Sequence, residues 1–115
     1  MLITYKSKRA EEQFSSSFQK RWRYPEQVKT KLKALENFIQ SAVSLQDIIN
    51  FPSFHFHHLE GNRKGEWAVY LGHTGYRVTL IPCDKEGKEI FGKDIVSECR
   101  MITIVEITEV NNHYE

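Results

Sequence analysis

Apolar residues recur about every four positions through the first third of the chain and about every two through its second half, so helices are expected before a sheet. The opening Leu2-Ile3-Thr4-Tyr5 is β-branched and aromatic and breaks off into Lys6-Ser7-Lys8-Arg9, which predicts a brief strand and then a helix start. From Ala10 to Trp22, the residues Phe14, Phe18 and Trp22 recur at helical spacing and share one face. Lys20, Arg21 and Arg23 fall off that face and are expected to be exposed. Pro25 ends this helix and suits the first turn of the next. There Val28, Leu32, Leu35 and Ile39, with Phe38 beside them, form a second apolar stripe, while Lys29, Lys31 and Lys33 lie elsewhere on the wheel. The two helices are expected to form a hairpin over residues 9–42. Ser44 to Ile49 reads as one more turn, capped by Ser44 and stopped by Pro52.

After Gly65 the period changes. Trp67 to Leu71 and Tyr76 to Ile81 read as two strands joined by the turn Gly72-His73-Thr74-Gly75. Asp84 to Lys88 is a second turn signal. Residues 89–99 predict an irregular excursion or a short helix. Met101 to Ile107 is apolar on both faces, as in a central strand covered on both sides. The expected architecture is α+β: two N-terminal helices packed on a small, mainly antiparallel sheet in the order β-α-α-β-β-β, as one domain over residues 1–115.

Composition narrows the class. Forty per cent hydrophobic and 27% charged residues, with 6 Gly and 3 Pro, exclude collagen-like, low-complexity and disordered chains. No stretch has the roughly 18–20 uncharged residues of a membrane span, so a cytoplasmic protein without a membrane partner is expected. Cys83 and Cys99 fit no Cys-x-x-Cys motif and read as reduced core thiols. The net charge of +1 is unevenly spread, with +6 over residues 1–33 and −5 over residues 34–115. A basic front half can face phosphates, although charged faces are commonly just solvated.

No phosphate-cradling loop, dinucleotide fingerprint, nucleophile elbow or zincin helix is present. The polar interest concentrates in Phe54 to Trp67, which is dense in imidazole and guanidinium, and in Asn111-Asn112-His113-Tyr114-Glu115. His55, His57 and His58 invite a metal reading, since imidazole is the commonest zinc ligand. In an extended segment, however, His58 points away from the other two, and no Cys or carboxylate at ligand spacing completes a tetrahedral set. No metal or other cofactor is therefore expected. His55 and His58 read equally well as packed beside Phe54 and Phe56.

The run Phe56-His57-His58-Leu59-Glu60-Gly61-Asn62-Arg63-Lys64-Gly65-Glu66-Trp67-Ala68-Val69 resembles the Leu-His-x-Leu-Lys-Gly-x-Arg-x-Gly-x-Trp-Ser-Ile segment of the HigB-like toxins in the RelE/ParE toxin–antitoxin superfamily. Tyr76-Arg77-Val78 stands where that family has a Trp-Arg or Tyr-Arg strand, and the end of the chain, through His113 and Tyr114, is similar to the family's. The resemblance implies a type II toxin that acts as a ribosome-dependent mRNA endonuclease (an mRNA interferase) and inhibits translation. It also implies a cognate HigA-like helix-turn-helix antitoxin, with operator DNA met only through the antitoxin complex. The implied chemistry is metal-independent: the RNA 2′-hydroxyl attacks the adjacent phosphate and expels the 5′-oxygen, which needs a base, an acid and cations. At the matching positions His57 would be base or acid, Arg77 would bind the phosphate in a two-pronged way, and His113 or Tyr114 would supply the partner proton or stack on a base. Arg63, Lys64 and His58 would contact RNA. Arg77 as a strand salt-bridge residue and Arg63 as a solvated loop charge are the plainer readings.

Two positions depart from the family pattern. Glu60 replaces a lysine, so a lysine-borne phosphate contact moves to Lys64 or is lost, unless Glu60 itself acts as the base. The order His113-Tyr114 reverses the usual Tyr-His. Two rival readings follow from the same superfamily: a ParE-like DNA gyrase inhibitor, and an inactive relative that acts as an antitoxin-binding regulatory partner. Fold cannot separate them, because one fold hosts several activities. A pair of acid-base groups such as His57 and His113 favours the nuclease.

Overall fold

The computed structural model describes residues 1–21, 23–61, 65–91 and 95–112, and the side chains of all of these except 19–21. Strand β1 (Leu2–Tyr5) leads into helix α1 (Lys8–Phe14), which starts where the Ser7 hydroxyl accepts a hydrogen bond from the Ala10 backbone N–H. The helix ends at Phe14, earlier than the Phe14-Phe18-Trp22 spacing predicts. The serine run supplies the reason: the Ser17 N–H donates to Ser15 Oγ and the Ser16 N–H to Glu36 Oε1, each at 3.3 Å. These side-chain acceptors compete with the helical ladder, and Ser16–Arg21 tightens into a 3₁₀ turn. Phe14 is fully buried, but Phe18 is only half-buried, with Lys8 Nζ 4.9 Å from its ring centroid. Arg23 is exposed as expected, and Trp22 and the Lys20 and Arg21 side chains lie outside what is described.

Helix α2 (Glu26–Ser41) follows Pro25, and its stripe of Val28, Leu32, Leu35 and Ile39 is at most 2% exposed. Each of these side chains contributes roughly 1.5–3 kcal/mol through burial. The Ser44 hydroxyl accepts from the Gln46 N–H and caps the short α3 (Leu45–Ile49); Pro52–Phe54 is then a 3₁₀ turn. Strands β2 (His57–His58), β3 (Trp67–Tyr70) and β4 (Tyr76–Cys83), the short α4 (Ile95–Glu98), a 3₁₀ turn at Cys99–Met101 and β5 (Ile104–Asn112) complete the described chain.

The sheet runs β1-β5-β4-β3-β2, with β1 parallel to β5 and the other pairs antiparallel. The expected order β-α-α-β-β-β is thus corrected to β-α-α-α-β-β-β-α-β, and the sheet has five strands. The additional strand arises because His57 and His58 pair with Ala68 and Trp67, two residues too few for any periodicity to reveal. The last strand is displaced as well. Met101 belongs to the 3₁₀ turn and is 64% exposed, whereas Asn111 and Asn112 continue the strand.

One face of the sheet packs against the helices through Val69, Val78, Leu80, Ile107 and Val110. Cys83 and Cys99 are both free and buried. Among the described residues no helix is long and apolar enough to cross a membrane.

Candidate functional site

In antiparallel pairs, directly opposed residues share a face, and so do residues two apart along a strand. The register sets His57, Ala68, Thr79 and Glu109 in one row across four strands, and Tyr70, Arg77 and Asn111 in the next row. Both rows lie on the face opposite Val69 and Val78, where Ala68 and Thr79 are fully buried while His57, Tyr70, Arg77, Glu109 and Asn111 are half-buried. This brings together His57 and Arg77, which lie twenty positions apart in the chain, on either side of Tyr70.

The β3–β4 hairpin holds that row in place. The Leu71 N–H donates to the Tyr76 carbonyl at 3.0 Å, and the Thr74 hydroxyl donates to the Leu71 carbonyl at 2.8 Å while accepting from the Tyr76 N–H at 3.1 Å. Closing the loop at Leu71 and Tyr76 is what sets Tyr70 opposite Arg77. Below it, the Thr79 and Thr108 hydroxyls are 2.6 Å apart, and Thr108 also donates to Glu66 Oε1 at 2.6 Å. Thr108 is the extra residue of the bulge opposite Thr79 and Leu80, and these hydroxyl bonds tie β4 and β5 to Glu66, the residue just before β3.

His57 is oriented by its neighbour. Its Nδ1 lies 2.7 Å from the His55 carbonyl oxygen, and since a carbonyl can only accept, Nδ1 carries the proton. The neutral ring therefore keeps its lone pair on Nε2, the atom that can take a proton from substrate. His55 itself has φ 45°, a left-handed conformation that a non-glycine residue adopts at a cost. The His55 and His57 rings stand 5.9 and 5.3 Å from that of Tyr70.

Arg77 Nε donates to Asn111 Oδ1 at 3.1 Å, and Asn111 Nδ2 donates to Glu109 Oε1 at 3.2 Å. The carboxylate fixes which way the amide points, and the amide in turn fixes the plane of the guanidinium. Among the described residues Arg77 has no carboxylate within ion-pair distance.

The remaining candidates are not gathered here. His58 is exposed, and its ring packs 5.1 Å from Trp67 on the other face of β2, beside the stacked Phe56–Trp67 pair. Glu60 is exposed. Arg63, Lys64, His113 and Tyr114 lie outside the described residues; β5 ends at Asn112, which is paired with Tyr76 next to Arg77. Among the described residues, no group of three or more His, Cys, Asp or Glu side chains is placed to hold a metal ion. Two residues outside the predicted set of site side chains are central. Tyr70 stands between His57 and Arg77, and Asn111 aims the guanidinium. Counting back from the hairpin turn would have paired Tyr70 with Arg77; Asn111 belongs to the polar run 111–115, in which the resemblance gives roles only to His113 and Tyr114.

A second titratable group lies at the far end of the same face. Burial, together with a proton shared with the neighbouring Glu89, pushes Glu106 up to about 7. Its Oε1 is buried without a hydrogen-bond partner. Glu89 is held below the usual carboxylate range by its bond to Glu106 and by Lys6, whose Nζ is 3.2 Å away. Burial, with Glu106, Glu89 and Asp84 nearby, raises the Cys83 thiol to about 11, so it is a poor nucleophile.

No known protein-family model matches the chain, and no curated protein matches it in sequence.

Proposed function

We propose that this protein is an endoribonuclease toxin of the HigB-like kind, which cleaves mRNA on the ribosome by metal-independent chemistry and is neutralised by a helix-turn-helix antitoxin. The observation that carries the reading is the placement of His57 and Arg77 on one sheet face about Tyr70, with His57 Nδ1–H committed to a carbonyl. The resemblance of residues 56–69 to that family supports the same assignment.

In this reading His57 Nε2 takes the proton of an RNA 2′-hydroxyl, and the 2′-oxygen attacks the adjacent phosphorus. The bond from phosphorus to the 5′-oxygen breaks, leaving a 2′,3′-cyclic phosphate, and the departing oxygen receives a proton from the partner acid, His113 or Tyr114. Arg77, held at Nε by Asn111, presents its terminal nitrogens to the phosphate oxygens, where charge grows in the transition state. Arg77 lies two strands across from His57 and two residues along, so the two backbones are roughly 12 Å apart with the Tyr70 side chain between them. Little on this face reads sequence, which fits an enzyme whose substrate is positioned by the ribosome.

The test is a defined translation reaction with purified ribosomes and one mRNA, with 5′ ends mapped by primer extension. New ends that require translating ribosomes and vanish with Arg77→Ala are expected. Intact message beside unimpaired peptide synthesis would sink the nuclease reading and make DNA supercoiling the next assay.

A further inference from the structure

A groove opens beside the candidate site and shares Tyr70 with it. Its inner part is a pocket of about 350 Å³ between α2 and the 3₁₀ turn, floored by Phe38, Phe51 and Phe54. Its outer part, about 460 Å³, adds His55 and His73, and the two parts have Lys31, Ser53, Tyr70 and Gly72 in common. Both volumes fall in the range of small-ligand sites.

The three phenylalanine rings contact one another, with centroids 4.5–5.3 Å apart, yet they are not closed over: Phe51 is 42% exposed. Open aromatic faces of this kind stack planar, polarisable groups. The rim has one sign of charge. Lys31 lies at the mouth without an ion-pair partner among the described residues, and none of the described lining residues is acidic. The backbone makes room for that lysine. A side chain at Gly72 would place its Cβ 2.7 Å from Lys31 Cε, and Gly72 has φ 59°, so glycine lets the lysine stem cross there. The imidazoles of His55 and His73 add hydrogen-bond donors.

A planar aromatic body with an anionic group at one end matches this chemistry, and the shared Tyr70 links it to the proposed reaction face. We propose that the groove binds one nucleotide of single-stranded RNA, with its base against the Phe38–Phe51–Phe54 rings and a phosphate at Lys31, His55 and His73, as a subsite beside the cleavage face. The assignment of RNA as substrate rests on the reading given above; the groove's own chemistry sets where the extra nucleotide sits.

The test uses the whole protein and a fluorescein-labelled single-stranded hexauridylate, with binding followed by anisotropy and folding checked by circular dichroism and thermal melting. Phe54→Ala is expected to weaken binding five-fold or more, the low end of what a stacked base contributes. Lys31→Ala, at an exposed position where folding is not at stake, is expected to lower the slope of log affinity against log salt by about 0.7, the value for one phosphate contact on a single strand. Unchanged affinity and slope in a folded Lys31→Ala protein overturn the subsite, even if ribosome-dependent cleavage persists. Binding that depends on Lys31 and Phe54 in a protein that cuts no message upholds the subsite and removes only the nuclease reading. If an acidic amphipathic peptide shifts the Phe51 and Phe54 ring resonances and the RNA leaves them unmoved, the groove belongs to a protein partner and the proposal fails.

Discussion

Arg77 and Asn111 stand directly opposite one another on β4 and β5, and the Arg77 Nε donates to the Asn111 side-chain oxygen at 3.1 Å. That one bond turns a flexible cation into a directed one, because the Asn111 amide is itself held by Glu109.

The pair makes charge and geometry separable. Arg77→Lys retains a cation but loses both the Asn111 bond and the planar fork, and is expected to lower ribosome-dependent cleavage about 100-fold, close to the loss from Arg77→Ala. Single-turnover cleavage of a defined message measures it. Near-normal activity in Arg77→Lys would show that only the charge matters.

Asn111→Ala leaves Arg77 in place and removes its guide. Cleavage is expected to fall about 10-fold, with a stability loss of about 0.5–1.5 kcal/mol, the net value of an ordinary hydrogen bond. Urea unfolding beside the cleavage assay separates the two effects. Unaltered cleavage would mean that Arg77 finds its position without help.

His57→Gln keeps the ring's approximate size without its proton chemistry. A loss of about 100-fold or more in cleavage, with RNA affinity within two-fold of the parent, is the expected result for a base. An equal loss of affinity would make His57 a binding group.

Glu106 predicts a pH dependence of stability. Its carboxyl is raised from 4.5 to about 7 in the folded chain, so the folded state holds the proton more tightly than the unfolded one. Stability therefore falls as pH rises between about 4.5 and 7 and levels off above that window. The group is partly solvent-screened, which keeps the effect on the order of 1 kcal/mol. Glu106→Gln is expected to flatten the slope across this window and to raise Tm at pH 8 by roughly 2–5 °C. Melting curves from pH 5 to 8 decide it; an unchanged slope would move the effect to another group.

Gly72→Ala tests the turn. With φ 59° and a Cβ 2.7 Å from Lys31 Cε, the substitution is expected to cost about 1 kcal/mol and to displace the lysine from the groove. Chemical denaturation measures the first effect and the salt slope of RNA binding the second. A variant as stable as the parent, with the same slope, would show that the turn relaxes freely.

Much of the scaffold is written in local pattern. The 3.6-residue stripe of α2 and the alternation of β3 and β4 about their glycine-containing turn are short-range properties, and so is the Ser44 cap of α3. The strand position of Arg77 was legible for the same reason. Periodicity misled at Phe18, where side-chain oxygens from Ser15 and Glu36 took the backbone donors and ended the helix.

What the sequence by itself determined, then, is the longer helix and strand stretches, such as α2, β3 and β4, and which side chains carry imidazole and guanidinium. Only the tertiary structure decided which of them meet. Register in a sheet has a period of two, so a slip of one residue would send Arg77 to the helix-covered face, and that register depends on pairing with strands far along the chain. The same long-range pairing laid β1 parallel to β5, set Tyr70 between His57 and Arg77, and placed Asn111 where it could aim the arginine.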